Sequence, residues 1–211
     1  MDKDKGFLIL LQGLKITPLP MRIAIYPGSF NPVHRGHVQL AREILNMQLA
    51  DQVWMLVSPR NPLKINVDLA EEEHRFAMTQ LALDSPDRII ASDFEFTLPR
   101  PSYSVDTLKS LQSTYPEHQF VLLIGSDNAL VFDQWKEYRE ILSLVDVYVY
   151  PRPGYPVREA ISMYPSMKQL ETSLYDISST RIREMIQRGE NTGEWLHPGV
   201  EKYIQEHQLY R

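Results

Sequence analysis

The chain has 211 residues, 43% of them hydrophobic and 23% charged, a composition ordinary for a soluble globular protein and a length suited to one well-buried core. Its formal charge of −5 argues against broad binding to nucleic acid or to an anionic membrane, since both reward clustered Lys and Arg. With no cysteine, disulfides, thiolate metal sites and cysteine nucleophiles are excluded together, in agreement with a cytoplasmic setting.

Residues 1–20, MDKDKGFLILLQGLKITPLP, carry only the short apolar run FLILL, which cannot span a bilayer and lacks the pattern of a signal peptide. They read as an N-terminal extension: disordered, an upstream start before Met21, or an extra strand. Residues 21–211 are expected to form a single domain. RIAIY (22–26) predicts a strand, and HVQLAREILNM (37–47) a helix with Val38, Ala41 and Leu45 on one face. QVWMLVS (52–58) is a second strand, followed by the loop PRNPLKINVD and by the helix AEEEHRFAMTQLAL (70–83), whose acidic first turn suits the helix dipole. RIIASDFEF predicts a strand, SVDTLKSLQSTY a helix and FVLLIG (120–125) a fully buried strand. DVYVYP is a further strand, and SSTRIREMIQRG and GVEKYIQEHQLY are helical. The alternation implies an α/β fold with a doubly wound parallel sheet and helices on both faces. In such sheets ligands sit at the carboxyl ends of the strands.

The stretch YPGSFNPVHRGH (26–37) leaves the first strand at that edge. Gly28 lets backbone N–H groups approach a ligand, and Pro27 and Pro32 stiffen the path. Neither GxGxxG nor GxxxxGK[ST] occurs in it, so the usual phosphate loops are excluded. His34 and His37, three apart, share one side of a helix's first turn, where free N–H groups already favour an anion. A metal site, a structural pair and a phosphate grip are the three readings of this stretch. The metal reading needs a third ligand, such as His74 or Asp127, in an electropositive place. Near the other end, ISSTRIRE (177–184) opens a helix with Ser178, Ser179 and Thr180, and Arg183 follows one turn on. One hydroxyl would be an N-cap; three with a guanidinium form a second anion cradle. Two such cradles suit a polyphosphate.

GSFNPVHRGH resembles the GxFxPxHxGH signature of the nucleotidyltransferase superfamily, and ISSTRIR its ISSTxxR signature. PSYSVDTL (101–108), GSDNALVFDQWKEY (125–138), RPG (152–154) and the ending LHPGVEKYIQEHQLY are similar to the nicotinate mononucleotide adenylyltransferases, so the likeness runs from Met21 to Arg211. The resemblance implies a Rossmann-like fold and a reaction of ATP with nicotinate mononucleotide to give deamido-NAD and pyrophosphate, a step of NAD biosynthesis. It implies Mg²⁺ held through the phosphates and no metal ligand from the protein. His34, His37 and Arg183 would be catalytic, with His37 stabilising the transition state. Gly28, Ser29, Phe30, Asn31, Ser178, Ser179 and Thr180 would hold the ATP phosphates, with Lys64 adding charge nearby. Ser104, Asp127, Trp135 and Lys136 would bind the mononucleotide, the pyridine ring stacking on Trp135. No nucleic-acid or membrane partner is implied, and whether the chain is a homo-oligomer stays open.

This chemistry fits the residues. A phosphomonoester with a second pKa of about 6 is already largely ionised, so its oxygen needs no general base. The site has to align an in-line attack and stabilise charge on departing pyrophosphate. Ser29-Phe30-Asn31 departs from the family's more frequent Thr-Phe-Asp. Pantetheine-phosphate adenylyltransferases share both signatures but usually have Thr where this chain has His34. A non-catalytic ATP sensor would not need transition-state donors, and a metal-dependent phosphohydrolase would need more carboxylates.

Overall fold

The computed structural model describes residues 19–59, 69–83 and 88–211. Lys64 and nearly all of the N-terminal extension lie outside the described residues. Strand β1 (Arg22–Gly28) is followed by helix α1 (Arg35–Asn46), β2 (Gln52–Val57), α2 (Glu72–Leu81), β3 (Ile89–Ser92), α3 (Ser104–Thr114) and β4 (Gln119–Gly125). The short α4 (Ser126–Ala129), α5 (Tyr138–Leu144), β5 (Asp146–Tyr150), α6 (Val157–Met163), β6 (Lys168–Gln169), α7 (Ser179–Gln187) and α8 (Pro198–Glu206) complete the order.

The strands form one six-stranded sheet in the order β3-β2-β1-β4-β5-β6, with every pairing parallel. This is the Rossmann-like, doubly wound arrangement that the alternating elements predicted. Side chains alternate across the sheet with the period of two that a strand imposes. Ala24 and Tyr26 of β1, with Val53, Met55, Leu123, Tyr148 and Tyr150, face α1, α2, α7 and α8. Ile23 and Ile25, with Leu122, Ile124, Val147 and Val149, face α3, α5 and α6. Ile23 to Tyr26 are at most 2% exposed, which identifies β1 as the central strand of the core.

One segment differs from the sequence expectation, and two others carry elements beyond it. The predicted strand RIIASDFEF ends at Ser92, and Phe94–Thr97 forms a 3-10 turn. The Ser92 Oγ accepts the Phe94 N–H at 3.3 Å, a local bond that competes with the sheet ladder. Between β4 and β5 the chain breaks into α4, a 3-10 turn (Phe132–Gln134) and α5, with Glu137 in the left-handed region at φ 51°. The two-residue β6 was too short to leave a pattern in the sequence. No helix among the described residues is long and apolar enough to cross a membrane.

Sheet order decides where a site can form. Adjacent β1 and β4 send their chains to opposite faces, which opens a crevice at their carboxyl ends. The loops after β1, β4 and β5 all empty into it.

Candidate active site

The loop from Ser29 to His34 carries the chain from β1 onto α1. Gly28 is a steric requirement, since a Cβ there would lie 2.7 Å from the Phe30 ring. Phe30 is buried with φ at 45°, edge-on to Tyr26 at 5.6 Å and to His37 at 5.1 Å between ring centroids. Its role here is packing. Three carbonyls of the loop are held from outside: Ser29 by Arg75 Nη1 (2.8 Å), Asn31 by Arg183 Nη1 (2.8 Å) and Pro32 by Ser179 Oγ (2.9 Å). The two motifs found at opposite ends of the sequence are thus in direct contact.

His34 occupies the N-cap position of α1 and stacks on His37, with ring centroids 3.6 Å apart and planes 25° from parallel. Its N–H donates to His37 Nδ1 at 3.2 Å, which leaves the proton of a neutral His37 on Nε2, as a donor. His34 is 3% exposed, and neither of its ring nitrogens has a hydrogen-bond partner. Burial, and then the nearby charge of Arg152, push its pKa down to about 3. It is a buried, neutral imidazole. Stacked imidazoles direct their nitrogens in nearly parallel planes, which is poor geometry for sharing one ion. His74 is engaged elsewhere, 2.9 Å from the Tyr203 hydroxyl between α2 and α8.

On the other side of the crevice Ser178 caps α7, its Oγ accepting the Arg181 N–H at 3.2 Å. Ser179 reaches the first loop as described, and Thr180 Oγ1 accepts from Arg183 Nη2 at 3.4 Å. Neither α1 nor α7 has an acidic residue in its first turn, whereas α2, α3, α6 and α8 do. The positive ends of those two dipoles are left for an anion.

Asp127 is the second residue of α4 and does not cap it, a place held by Gly125. Its Oδ1 is buried without a hydrogen-bond partner, 3.7 Å from Arg152 Nε. Ser104 begins α3, whose N-cap Tyr103 supplies no side-chain bond, so first-turn N–H groups stay open. Trp135 is half-buried against Phe132 (5.1 Å), with its indole N–H buried and unpartnered. The Lys136 ammonium sits 2.9 Å from Asp106 Oδ2 and 4.9 Å above the Tyr103 ring. That side chain ties the segment before α5 to the first turn of α3. Beside His34 and Gly36 a cavity of about 470 Å³ opens, also lined by Tyr175, Ile177 and Trp195. Its volume is within the usual range for small-molecule sites.

Residues 25–185 match the cytidylyltransferase-like family. A Bacteroides fragilis protein named "Probable nicotinate-nucleotide adenylyltransferase" is 44% identical over 183 residues, covering 87% of this chain and 90% of that one. A Flavobacterium johnsoniae protein of the same name is 38% identical over 192 residues, covering 90% and 100%. The chain belongs to the cytidylyltransferase-like family, among its nicotinate-nucleotide adenylyltransferases. Among solved structures, the Plasmodium falciparum nicotinic acid mononucleotide adenylyltransferase complexed with NaAD superposes with a TM-score of 0.73 over 90% of this chain and 97% of that one. At 21% identity that likeness speaks for the fold alone.

This adenylyltransferase site contains residues that motif reading passed over. Arg152 follows β5, and its N–H donates to Ser126 Oγ at 3.0 Å, so it enters the crevice between His34 and Asp127. Its signal was the RPG that follows an apolar strand. Arg75 is 1% exposed and spends its guanidinium on the carbonyls of Ser29, Ser58, Pro59 and Ala70 at 2.7–2.8 Å. In sequence it is an unremarked arginine in a charged helix. Tyr26 and Tyr150 form a buried pair beneath His37, and burial pushes both hydroxyls up, so they stay protonated. Tyr175 donates to Glu43 Oε1 at 2.8 Å, which ties the segment before α7 to α1; burial and then Glu43 push its hydroxyl up to about 12.

Proposed function

We infer that the protein transfers the adenylyl group of ATP to the phosphate of nicotinate mononucleotide, releasing pyrophosphate and forming deamido-NAD. The observation that carries this reading is the joining of the two signature segments, with Ser179 on the Pro32 carbonyl and Arg183 on the Asn31 carbonyl. Two helix N-termini, two imidazoles and an arginine then converge on one crevice. The arrangement is rich in donors and suits a polyphosphate. Its relatives carry the adenylyltransferase name over nearly their whole lengths.

The site works by alignment and charge stabilisation. The attacking phosphate oxygen is already ionised near neutral pH, so no base has to be supplied. His37 Nε2–H donates to the phosphates as charge builds on the departing pyrophosphate, and the Arg183 guanidinium, with donors to spare beyond Asn31 and Thr180, does so from across the crevice. His34 contributes as a neutral imidazole. The open amides of the α7 first turn and the loop after Gly28 complete the cradle. The adenosine portion occupies the cavity beside Gly36 and Ile177.

Mg²⁺ is expected with the substrate. Among the described residues no group of three His, Asp or Glu side chains could hold it. Mg²⁺ in nucleotide sites commonly keeps several waters and binds through phosphates, and the half-buried Asp127 carboxylate is able to accept a hydrogen bond from a ribose hydroxyl or a bound water. Trp135 stacks on the pyridine ring, and the first-turn amides of α3 at Ser104 receive its carboxylate.

The test is pyrophosphate release with ATP, Mg²⁺ and, separately, nicotinate mononucleotide, its amide, or phosphopantetheine. Release should be fastest with nicotinate mononucleotide. Release with none of them refutes the activity, and a preference for phosphopantetheine refutes the substrate.

A further inference from the structure

The loop that presents His34 is also held by the end of the chain. Tyr210, the last residue but one, donates its hydroxyl to Asn31 Oδ1 at 2.8 Å across 179 positions of sequence. The same oxygen accepts the Ala70 N–H at 3.1 Å, so both of its lone pairs are used. Asn31 itself is 2% exposed. Its neighbour Phe30 has φ at 45°, a conformation that residues other than glycine adopt only where the surroundings impose it. The tail is shaped to reach this point: after α8, Gln208 and Tyr210 turn through φ of 54° and 64°, and Leu209 N–H returns to the Ile204 carbonyl at 3.1 Å. Leu209 and Tyr210 pack against the core on the α1 face.

We propose that Tyr210 is a positioning residue for adenylyl transfer. Its hydroxyl fixes the Asn31 side chain, while Arg183 takes the Asn31 carbonyl and Ser179 the Pro32 carbonyl. One buried residue thus joins the end of the chain to the phosphate cradle. Two residues after Pro32 the loop becomes His34 and the start of α1. A shift of Asn31 therefore moves the anchor of Arg183 and the origin of the histidine pair together, and transition-state donors tolerate little misplacement. Substrate affinity depends on many contacts and is much less sensitive to it.

The inference rests on the activity proposed above, and its test separates the two. Tyr210→Phe removes one oxygen and keeps the ring. In pyrophosphate release with ATP and nicotinate mononucleotide, kcat is expected to fall about three- to ten-fold, the scale of one neutral hydrogen bond, with KM for ATP within about two-fold. The melting temperature is expected to stay within about 3 °C of the wild type, as one such bond allows. In an Asn31→Ala background the same substitution should change kcat by less than about 1.5-fold, and in an Asn31→Asp background, which keeps the acceptor, the dependence should return. An unchanged kcat in Tyr210→Phe overturns the proposal. So does an equal loss with and without the Asn31 acceptor, or a loss that follows thermal stability and disappears on cooling. An inactive wild type would instead overturn the activity.

Discussion

His34 shows how a residue's environment changes the meaning of its letter. As part of HxGH it reads as one of two phosphate donors, and the structure keeps it in the crevice, stacked on His37 with both ring nitrogens unpartnered. Sequence could not show its state of charge. That depends on burial by elements far along the chain and on Arg152, which together lower its pKa to about 3. In the free protein its ring resonances should therefore not titrate between pH 8 and pH 5; a midpoint near the ordinary value of 6.5 would contradict this environment. The sign for stability follows. Because the folded pKa lies below the unfolded one, the contribution is full above about pH 6.5 and is lost progressively as pH falls toward 3. Asn31 teaches the converse: its letter belongs to the phosphate-loop signature, and the structure adds that its side chain is taken up by Ala70 and Tyr210 and its carbonyl by Arg183. No local pattern marks a contact made from the other end of the chain.

At the scale of elements, strands and helices with a strong apolar period were legible, and short pieces governed by side-chain bonds were not. β1, β2 and β4 lie where their apolar runs predict, and α1 starts two residues earlier than its apolar stripe because His34 provides the cap position. β3 is cut short where Ser92 turns its hydroxyl on the backbone and Glu95 is buried to receive Ser102 and Thr107. Arg75 is the strongest link between elements near the site, for it joins α2 to the loops after β1 and β2. Arg75→Met would take the guanidinium donors from four carbonyls, one buried and three partly buried. A loss of about 3 kcal/mol or more is expected from the urea midpoint; a loss below about 1 kcal/mol would show that water or neighbours replace the guanidinium. Trp135, between the 3-10 turn and α5, combines packing on Phe132 with an unpartnered indole N–H. Trp135→Ala should raise KM for the mononucleotide about ten-fold or more, consistent with loss of one stacked ring. A fall in melting temperature with an unchanged KM would assign the side chain to packing alone.

For the whole molecule, the parallel sheet in the order β3-β2-β1-β4-β5-β6 is what makes a two-sided site from segments about 150 residues apart, Pro32 and Ser179 being 147 positions distant. Alternation of strands and helices made this fold legible, and the two signatures gave both halves of the cradle. Less legible were the groups that brace those halves: Arg75, Tyr175 and Tyr210 act through tertiary contacts that no spacing rule encodes. In the proposed reaction, His37 and Arg183 stabilise the same moving charge from opposite sides of the crevice. Single-turnover adenylyl transfer at saturating ATP, measured for the wild type, His37→Ala, Arg183→Met and the double variant, tests it most directly. Each single variant should lose on the order of 10²-fold in rate, with KM for ATP changed less than about ten-fold and the double variant losing less than the product of the two. Full rates at saturating ATP, with the whole effect in KM, would show that the clamp binds ATP without acting on the transition state.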